Sequence, residues 1–287
     1  MTTPIGILTD SSAHFTQPKF PGQEFISIID FEVSFDGRVI IDGREAKSLN
    51  FPPSLVNYSP EKGPHLIAPS VEMFIQHIER LRQRYQNVLL ILQSAYLSAA
   101  YENALQAASL LQCSANIAVI NTQTISTGLG LLVQNAAGQV AQGVVFNKIE
   151  AYIRRNIPRV YTLLCTPALS YLSHNGFITR PQAIVGEMLG VLQVFSLEED
   201  RLAPLEKVRN YRHAVELFME FLGEFEQLSY VALIQSMPTL TETHLLRQFV
   251  AETFPGTTFT EHKANLPITA LFGPRFLGLI ALETIEP

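Results

Sequence analysis

At 287 residues the chain is long enough for two domains or one large one, and its hydrophobic fraction of 47% against 16% charged residues fits a soluble protein with much internal surface. A net charge of −6 and the lack of a Lys/Arg cluster argue against a nucleic-acid partner. Cys113 and Cys165 make neither a disulfide framework nor a zinc site, the first twelve residues lack the pattern of a signal peptide, and no apolar run reaches membrane-spanning length, so the expectation is a cytoplasmic protein without an integral membrane segment.

In chain order, residues 5–9 are strand-like and run into Asp10, Ser11 and Ser12. Residues 25–35 and 39–41 flank Asp36-Gly37, a hairpin turn signal. Ser70 is placed to cap a helix whose apolar face carries Val71, Phe74, Ile75, Ile78, Leu81 and Tyr85. A strand over 88–92, a helix over 97–111, a strand over 117–120 and a helix from Thr127 to about Gln142 follow, the last stopped by Gly143. Short apolar strands alternating with helices predict a mainly parallel, doubly covered sheet. A polar helix over 147–155 leads to Pro158, where a domain junction is expected.

Beyond it the pattern predicts a strand over 160–165 and a short helix over 168–174 ended by Asn175-Gly176. A strand pair over 190–197 and 201–209 turns through Glu198, Glu199 and Asp200. A helix over 211–225, a strand over 230–235, a helix over 240–254 opened by the capping box of Thr239 and Glu242, and strands over 257–261 and 277–283 complete the chain. The fold class is therefore α/β in two domains, 1–159 with a mainly parallel sheet flanked by helices and 160–287 with a mixed sheet and helices, with the ligand expected between them.

Three strand ends hand over to polar turns: Asp10, Ser11 and Ser12; then Gln93 and Ser94; then the run from Asn121 to Gly130, with Ser126, Gly128 and Gly130 opening a helix. Such turns set backbone N–H groups and hydroxyls where a polar head group can meet them, although each serine can equally be a helix cap, with Ser98 an alternative to Ser94. A G-x-G without a third glycine, far from the first strand, does not make a dinucleotide site. His213 and Glu216 share a helical face but lack a third metal ligand of matching spacing, and no G-x-S-x-G, H-E-x-x-H or P-loop pattern occurs.

Several runs match one family in order. Residues 9–13, TDSSA, resemble the opening TDSTAD motif of the DegV family of bacterial lipid-binding proteins, and residues 31–43 look like its hairpin ending in a D-G pair. SAYLSAAY at 94–101 is similar to SSxLSGTY, and residues 121–130 resemble DSxxxSxGxG. YLSHNGFI at 171–178 looks like YLxxGGRI, Lys207-Val208-Arg209 matches KVR, and Gly273-Pro274 falls where a G-P-G is usual.

The resemblance implies two α/β domains with a fatty-acyl chain buried between them, its carboxylate held by hydroxyls, no catalysis by the chain itself, and no cofactor. It also implies, as an alternative, a binding subunit that presents the acid to a separate ATP-using fatty-acid kinase. Burying a sixteen-carbon tail at ~0.8 kcal/mol per CH₂ gains on the order of 10 kcal/mol before entropy costs. On this reading the head-group rim comprises Ser11, Ser12, Ser94, Ala95, Ser126, Gly128, Leu66 and Ile67, with Arg209 as the contact for a partner or phosphate. The chain departs from the family at that rim. Leu66, Ile67 and Ala68 stand where a TSQPS supplies a Thr, Ala95 replaces a Ser, Leu271 replaces a His, Arg275 replaces the last Gly of G-P-G, and Phe177 replaces an Arg, with Arg180 nearby. These departures imply weaker selectivity for a carboxylate or a less polar head group. A small-molecule enzyme or phosphotransfer subunit, by analogy with dihydroxyacetone-type kinases, and a degenerate scaffold with a different ligand are the rival readings.

Overall fold

The computed structural model describes residues 5–41, 50–59, 61–111, 116–236 and 243–284. The chain divides into two compact units, one made from residues up to Glu32 together with Ile67–Arg159, the other from Val33–Leu66 together with the chain from Val160 onward.

The first strand, β1 (Ile5–Asp10), is buried along its whole length and pairs in parallel with β2 (Ile26–Ile29). The expected strand over 25–35 is in fact two. The chain breaks at Asp30 and Phe31, and β3 (Glu32–Phe35) instead forms a hairpin with β4 (Arg38–Ile41) across Asp36 and Gly37, whose φ values of 49° and 75° suit a two-residue hairpin loop. Strand β5 (His65–Ile67) joins the other side of β3. Helix α1 (Val71–Arg82) starts where Ser70 accepts the Met73 N–H at 3.3 Å and buries Phe74, Ile78 and Leu81. Then follow β6 (Asn87–Leu92), α2 (Ala100–Leu110), β7 (Asn116–Asn121), α3 (Thr127–Ala141) and α4 (Phe146–Asn156).

The strand order β2-β1-β6-β7 is parallel throughout, as helical crossovers require. Ile5, Ile7, Leu89, Ile91 and Ile120 meet Leu129, Val133, Ala136 and Ala137 of α3 and Ile149 and Ile153 of α4 in one core. Helix α2 begins three residues later than the periodicity predicts, because residues 95–98 are taken up in the turn that follows β6.

In the second unit β8 (Val160–Thr166) leads to α5 (Leu169–His174), whose end has Gly176 at φ 82°. Helix α6 (Arg180–Met188) follows, then β9 (Leu192–Glu198) and β10 (Arg201–Val208), joined through Glu199 and Asp200 in left-handed conformations. The remainder is α7 (Tyr211–Leu222), β11 (Leu228–Gln235), α8 (Thr243–Thr253), β12 (Thr258–Lys263), α9 (Leu266–Phe272) and β13 (Leu277–Glu283). The six-stranded order is β10-β9-β8-β13-β11-β12, antiparallel except for the parallel pair β11 and β12. One sheet face packs Leu163, Val194, Val231 and Leu279 against Val215, Phe218, Leu246 and Val250.

Neither α6 nor α9 was expected, yet both carry start signals. Thr179 and Gln182 form a reciprocal cap around Pro181, and Asn265 accepts the Ile268 N–H at 3.2 Å with Pro267 in the first turn. The capping box expected at Thr239 and Glu242, Cys113, and the last two residues of the hairpin motif lie outside the described residues.

A single division at residue 159 does not account for the segment 33–66. Val33, Ile40, Phe51 and Leu55 bury themselves against Ala168, Tyr171, Leu266 and Ala270, the Tyr171 hydroxyl donates to the Pro52 carbonyl at 2.6 Å, and the Leu55 N–H donates to Ser170 Oγ at 2.7 Å. Among the described residues no helix is long and apolar enough to cross a membrane. Tyr171→Phe keeps the ring and leaves the Pro52 carbonyl without its donor. It should cost about 1–2 kcal/mol, read as a lower denaturation midpoint at unchanged denaturant slope.

Candidate functional site

The carboxyl ends of parallel strands are where open α/β sheets present ligand sites, and here β1, β6 and β7 end side by side, with Thr9 opposite Ile91 and Leu92 opposite Asn121. Each strand passes into a polar turn, and side chains from one turn satisfy the backbone of the next. Asp10, fully buried, accepts the Ser12 N–H at 3.0 Å and the Ser12 hydroxyl at 2.5 Å on one oxygen, and the Gln93 N–H at 2.8 Å on the other. Burial raises its pKa above the ordinary carboxylate value, a rise that the bonds from Ser12 and Gln93 only partly offset.

Ser11 holds the other flank. Its N–H donates to the Ile29 carbonyl at 3.0 Å and its hydroxyl accepts the Phe31 N–H at 2.9 Å. Ser11 and Ser12 cap no helix; the chain continues as a loop to a short 3-10 turn at Gln23–Phe25.

The β6 turn is fixed from both sides. The Ser94 N–H donates to the Thr124 carbonyl at 2.9 Å, and the Ala95 N–H donates to Asn121 Oδ1 at 3.1 Å, an atom that also accepts the Gln123 N–H at 3.0 Å. The Gln93 amide donates to Ser98 Oγ at 2.9 Å, and Ser98 Oγ also accepts the Ala100 N–H at 3.4 Å, so Ser98 rather than Ser94 serves the start of α2.

In the β7 turn Ser126 has φ 56° and ψ −124°, unusual for a residue with a side chain. Its carbonyl accepts the N–H groups of His14 at 3.1 Å and Gly130 at 2.9 Å. A Cβ on Gly130 would stand 2.0 Å from the His14 carbonyl oxygen, so only glycine lets the loop after β1 lie this close to α3. The hydroxyls of Thr9, Ser126 and Thr127 are buried and find no hydrogen-bond partner.

Six of the eight residues expected at the rim come together: Ser12, Ser94, Ser126 and Gly128 buried, Ser11 and Ala95 half-buried. The remaining two, and the expected partner contact Arg209, lie elsewhere in the chain. Leu66 on β5 packs against the cluster of Val33, Leu55 and Tyr171, Ile67 ends that strand partly exposed, and Arg209 is exposed just past β10. The sequence places Asp10, Gln93 and Asn121 in the polar turns, but the expected rim takes only the hydroxyls and glycines beside them and leaves out these three, which hold the turns in place. The available signal was a short polar side chain directly after a strand, the pattern that captures nearby backbone N–H groups.

Glu216 pairs with Arg212 at 3.1 Å, the His213 N–H caps onto Asn210, and burial pushes the Cys165 thiol up to about 12. The second unit holds a pocket of about 190 Å³ among Leu55, Ser170, His174, Arg180 and Ile184. That is below the ~300–1,000 Å³ of sites for drug-sized ligands.

The family model of the DegV proteins, described as uncharacterised, matches residues 4–284. The chain belongs to the DegV family. A DegV domain-containing protein of Caldanaerobacter subterraneus subsp. tengcongensis is 25% identical over 218 residues, 76% of each chain. Among solved structures, a DegV family protein from Streptococcus agalactiae described as fatty acid binding matches with a TM-score of 0.84 at 20% identity, over 99% of this chain and 100% of that one. The fatty acid kinase B3 protein of Streptococcus pneumoniae, loaded with linoleic acid, matches at 0.80 and 18% identity, over 98% and 99%. The mixed α/β architecture, with one parallel and one mixed sheet, is that of these DegV proteins.

Within this DegV family member Gly130→Ala tests the rim's construction. The added methyl must push the His14 segment off α3, and a loss of about 2–3 kcal/mol is expected, with faster amide exchange at His14 relative to wild type.

Proposed function

We propose that the protein is a non-catalytic, cytoplasmic carrier that binds a long-chain fatty acid, with the polar rim at the ends of β1, β6 and β7 receiving the head group. What carries the reading is whole-chain likeness to DegV proteins described as fatty acid binding, one of them loaded with linoleic acid, joined to the presence of a stitched polar rim in this chain. Ser11 and Ala95 form its open side, with Ser12, Ser94, Ser126 and Gly128 behind them. No chemistry is assigned to the chain itself, in keeping with its likeness to proteins described as fatty acid binding.

A second reading, that an ATP-using fatty-acid kinase subunit phosphorylates the bound acid, is favoured by the likeness to the B3 protein. Arg209, exposed in the Lys207-Val208-Arg209 run, is its candidate contact. Transfer of labelled γ-phosphate to protein-bound acid in the presence of such a subunit supports it, and transfer unaltered by Arg209→Ala removes that residue from the assignment.

Native mass spectrometry of the purified protein, followed by extraction and identification of released lipid, tests the first reading. A bound fatty acid is the expected result. An apo mass unchanged after incubation with a panel of acyl lipids would move the assignment to a scaffold with another ligand. Ala95→Ser leaves the N–H bond to Asn121 in place and adds a hydroxyl on the open side of the rim. One such hydrogen bond, worth about 1 kcal/mol, should tighten acyl-lipid binding about fivefold in a competition assay.

A further inference from the structure

We propose that the second unit carries a binding site for a small organic acid. The site is a pocket walled by α5, α6 and residues 55 and 56, with Arg180 to receive the carboxylate and an apolar wall to receive a ring-sized body. The inference stands apart from the acyl-carrier reading, since none of the residues assigned to the head-group rim lines this pocket.

Size sets the first limit. The pocket encloses about 190 Å³. An engineered apolar cavity of ~150 Å³ holds a benzene molecule, whereas drug-sized ligands take ~300–1,000 Å³. The space therefore suits a guest of about six or seven carbons and is too small for a long acyl chain. Leu55, Val56, Ala183 and Ile184 supply its hydrophobic surface. Leu55 and Ala183 are buried, and Leu55 is fixed in place because its N–H donates to Ser170 Oγ at 2.7 Å. Helix α6 is held to this wall at its far end, where the Glu187 carboxylate accepts the Ser170 N–H at 2.6 Å on one oxygen and the Ser54 hydroxyl on the other. The pocket is thus framed by hydrogen bonds that join α5, α6 and the stretch around Leu55.

The polar groups give the guest its class. Arg180 is the first residue of α6, where a cation opposes the helix dipole and an anion is favoured. Its guanidinium makes one long contact, from Nη2 to the Val56 carbonyl at 3.5 Å, which sets it at the pocket wall. Among the described residues it makes no ion pair. Glu187, on the same helix, spends both of its oxygens on Ser170 and Ser54. An arginine offers a planar fork of N–H donors that matches a carboxylate, and most of this fork is uncommitted.

His174 adds a second open position. Its Nδ1 lies 2.9 Å from the Ser170 carbonyl, which can only accept, so Nδ1 carries the proton. Nε2 is left buried and without a hydrogen-bond partner, on a residue that lines the same pocket. A buried polar atom without a partner is uncommon in a native fold and marks a place that a bound molecule or a water completes. A bare inorganic anion would face Leu55, Val56, Ala183 and Ile184 with nothing to gain from them, and a hydrocarbon would leave Arg180 unmet. A compact carboxylate with an apolar body satisfies both.

Benzoate is the probe, with benzamide as its uncharged counterpart, titrated calorimetrically into the protein as purified. One benzoate per chain is expected, with a Kd of about 0.1–1 mM, the range open to a ligand of nine non-hydrogen atoms. Benzamide should bind about tenfold more weakly, because it forgoes the charge-assisted pair. Arg180→Gln, at an exposed side chain, should weaken benzoate about tenfold and leave the denaturation midpoint where it is in wild type. Ala183→Leu, which fills the pocket from its own wall, should abolish benzoate binding in a chain whose circular dichroism is that of the folded protein; if that variant does not fold, Arg180→Gln decides. Benzoate binding should persist in protein saturated with hexadecanoic acid. No binding up to about 10 mM benzoate, equal affinities for benzoate and benzamide, or an affinity unmoved by Arg180→Gln overturns the inference. Displacement of benzoate by hexadecanoic acid also overturns it, by assigning the pocket to the acyl site. None of the first three results touches the carrier reading, which is decided by the lipid released from the protein.

Discussion

The feature on which the candidate site depends is one buried carboxylate shared between two strand ends. Asp10 closes the turn after β1 through Ser12 and, through Gln93, ties that turn to the end of β6. A buried carboxyl is costly unless its acceptor capacity is met, and here three donors meet it, with no ion pair among the described residues. The same logic repeats with a neutral side chain at Asn121, whose single amide oxygen collects the N–H groups of Ala95 and Gln123. The rim is therefore a cross-linked surface whose parts fix one another, built on a sheet whose central strands β1 and β6 are buried along their whole length.

The first unit was largely legible in the sequence because its strands are short continuous apolar runs and its helices carry clear apolar faces. Phe74, Ile78 and Leu81 mark the buried side of α1 as the spacing requires, and Ser70 caps it. Where reading failed, the governing information was non-local. Residues 25–35 are apolar enough for one strand, but the two halves answer to different partners, β1 for the first and β4 and β5 for the second. Helix α6 has a weak apolar stripe with only Ala183 buried, so its periodicity is faint although its capping box is plain.

At the site the hydroxyls drew notice because hydroxyls are common ligand contacts, whereas Asp10 and Asn121 act on backbone groups in other turns, which sequence separation conceals. The serines themselves turn out to have mostly structural work. Ser11 supports the chain leading to β3, Ser12 satisfies Asp10, and Ser94 leans on the β7 turn.

The excursion of residues 33–66 into the second unit has a consequence for how the chain is made. Val33, Ile40, Phe51 and Leu55 leave the ribosome more than a hundred residues before their partners at Ala168 and Tyr171, and more than two hundred before Leu266 and Ala270. At about 5–20 residues per second the apolar segment waits on the order of ten seconds or longer with only its own residues, among them Phe35, Tyr58 and Leu66, to pack against. Because the backbone enters the second unit, leaves it, and enters again, neither half can be finished as a separate gene product cut at residue 159. Biosynthesis of this fold therefore includes an interval of exposed hydrophobic chain that a collinear two-domain protein would avoid, and the nascent polypeptide is a natural client for holding chaperones during it.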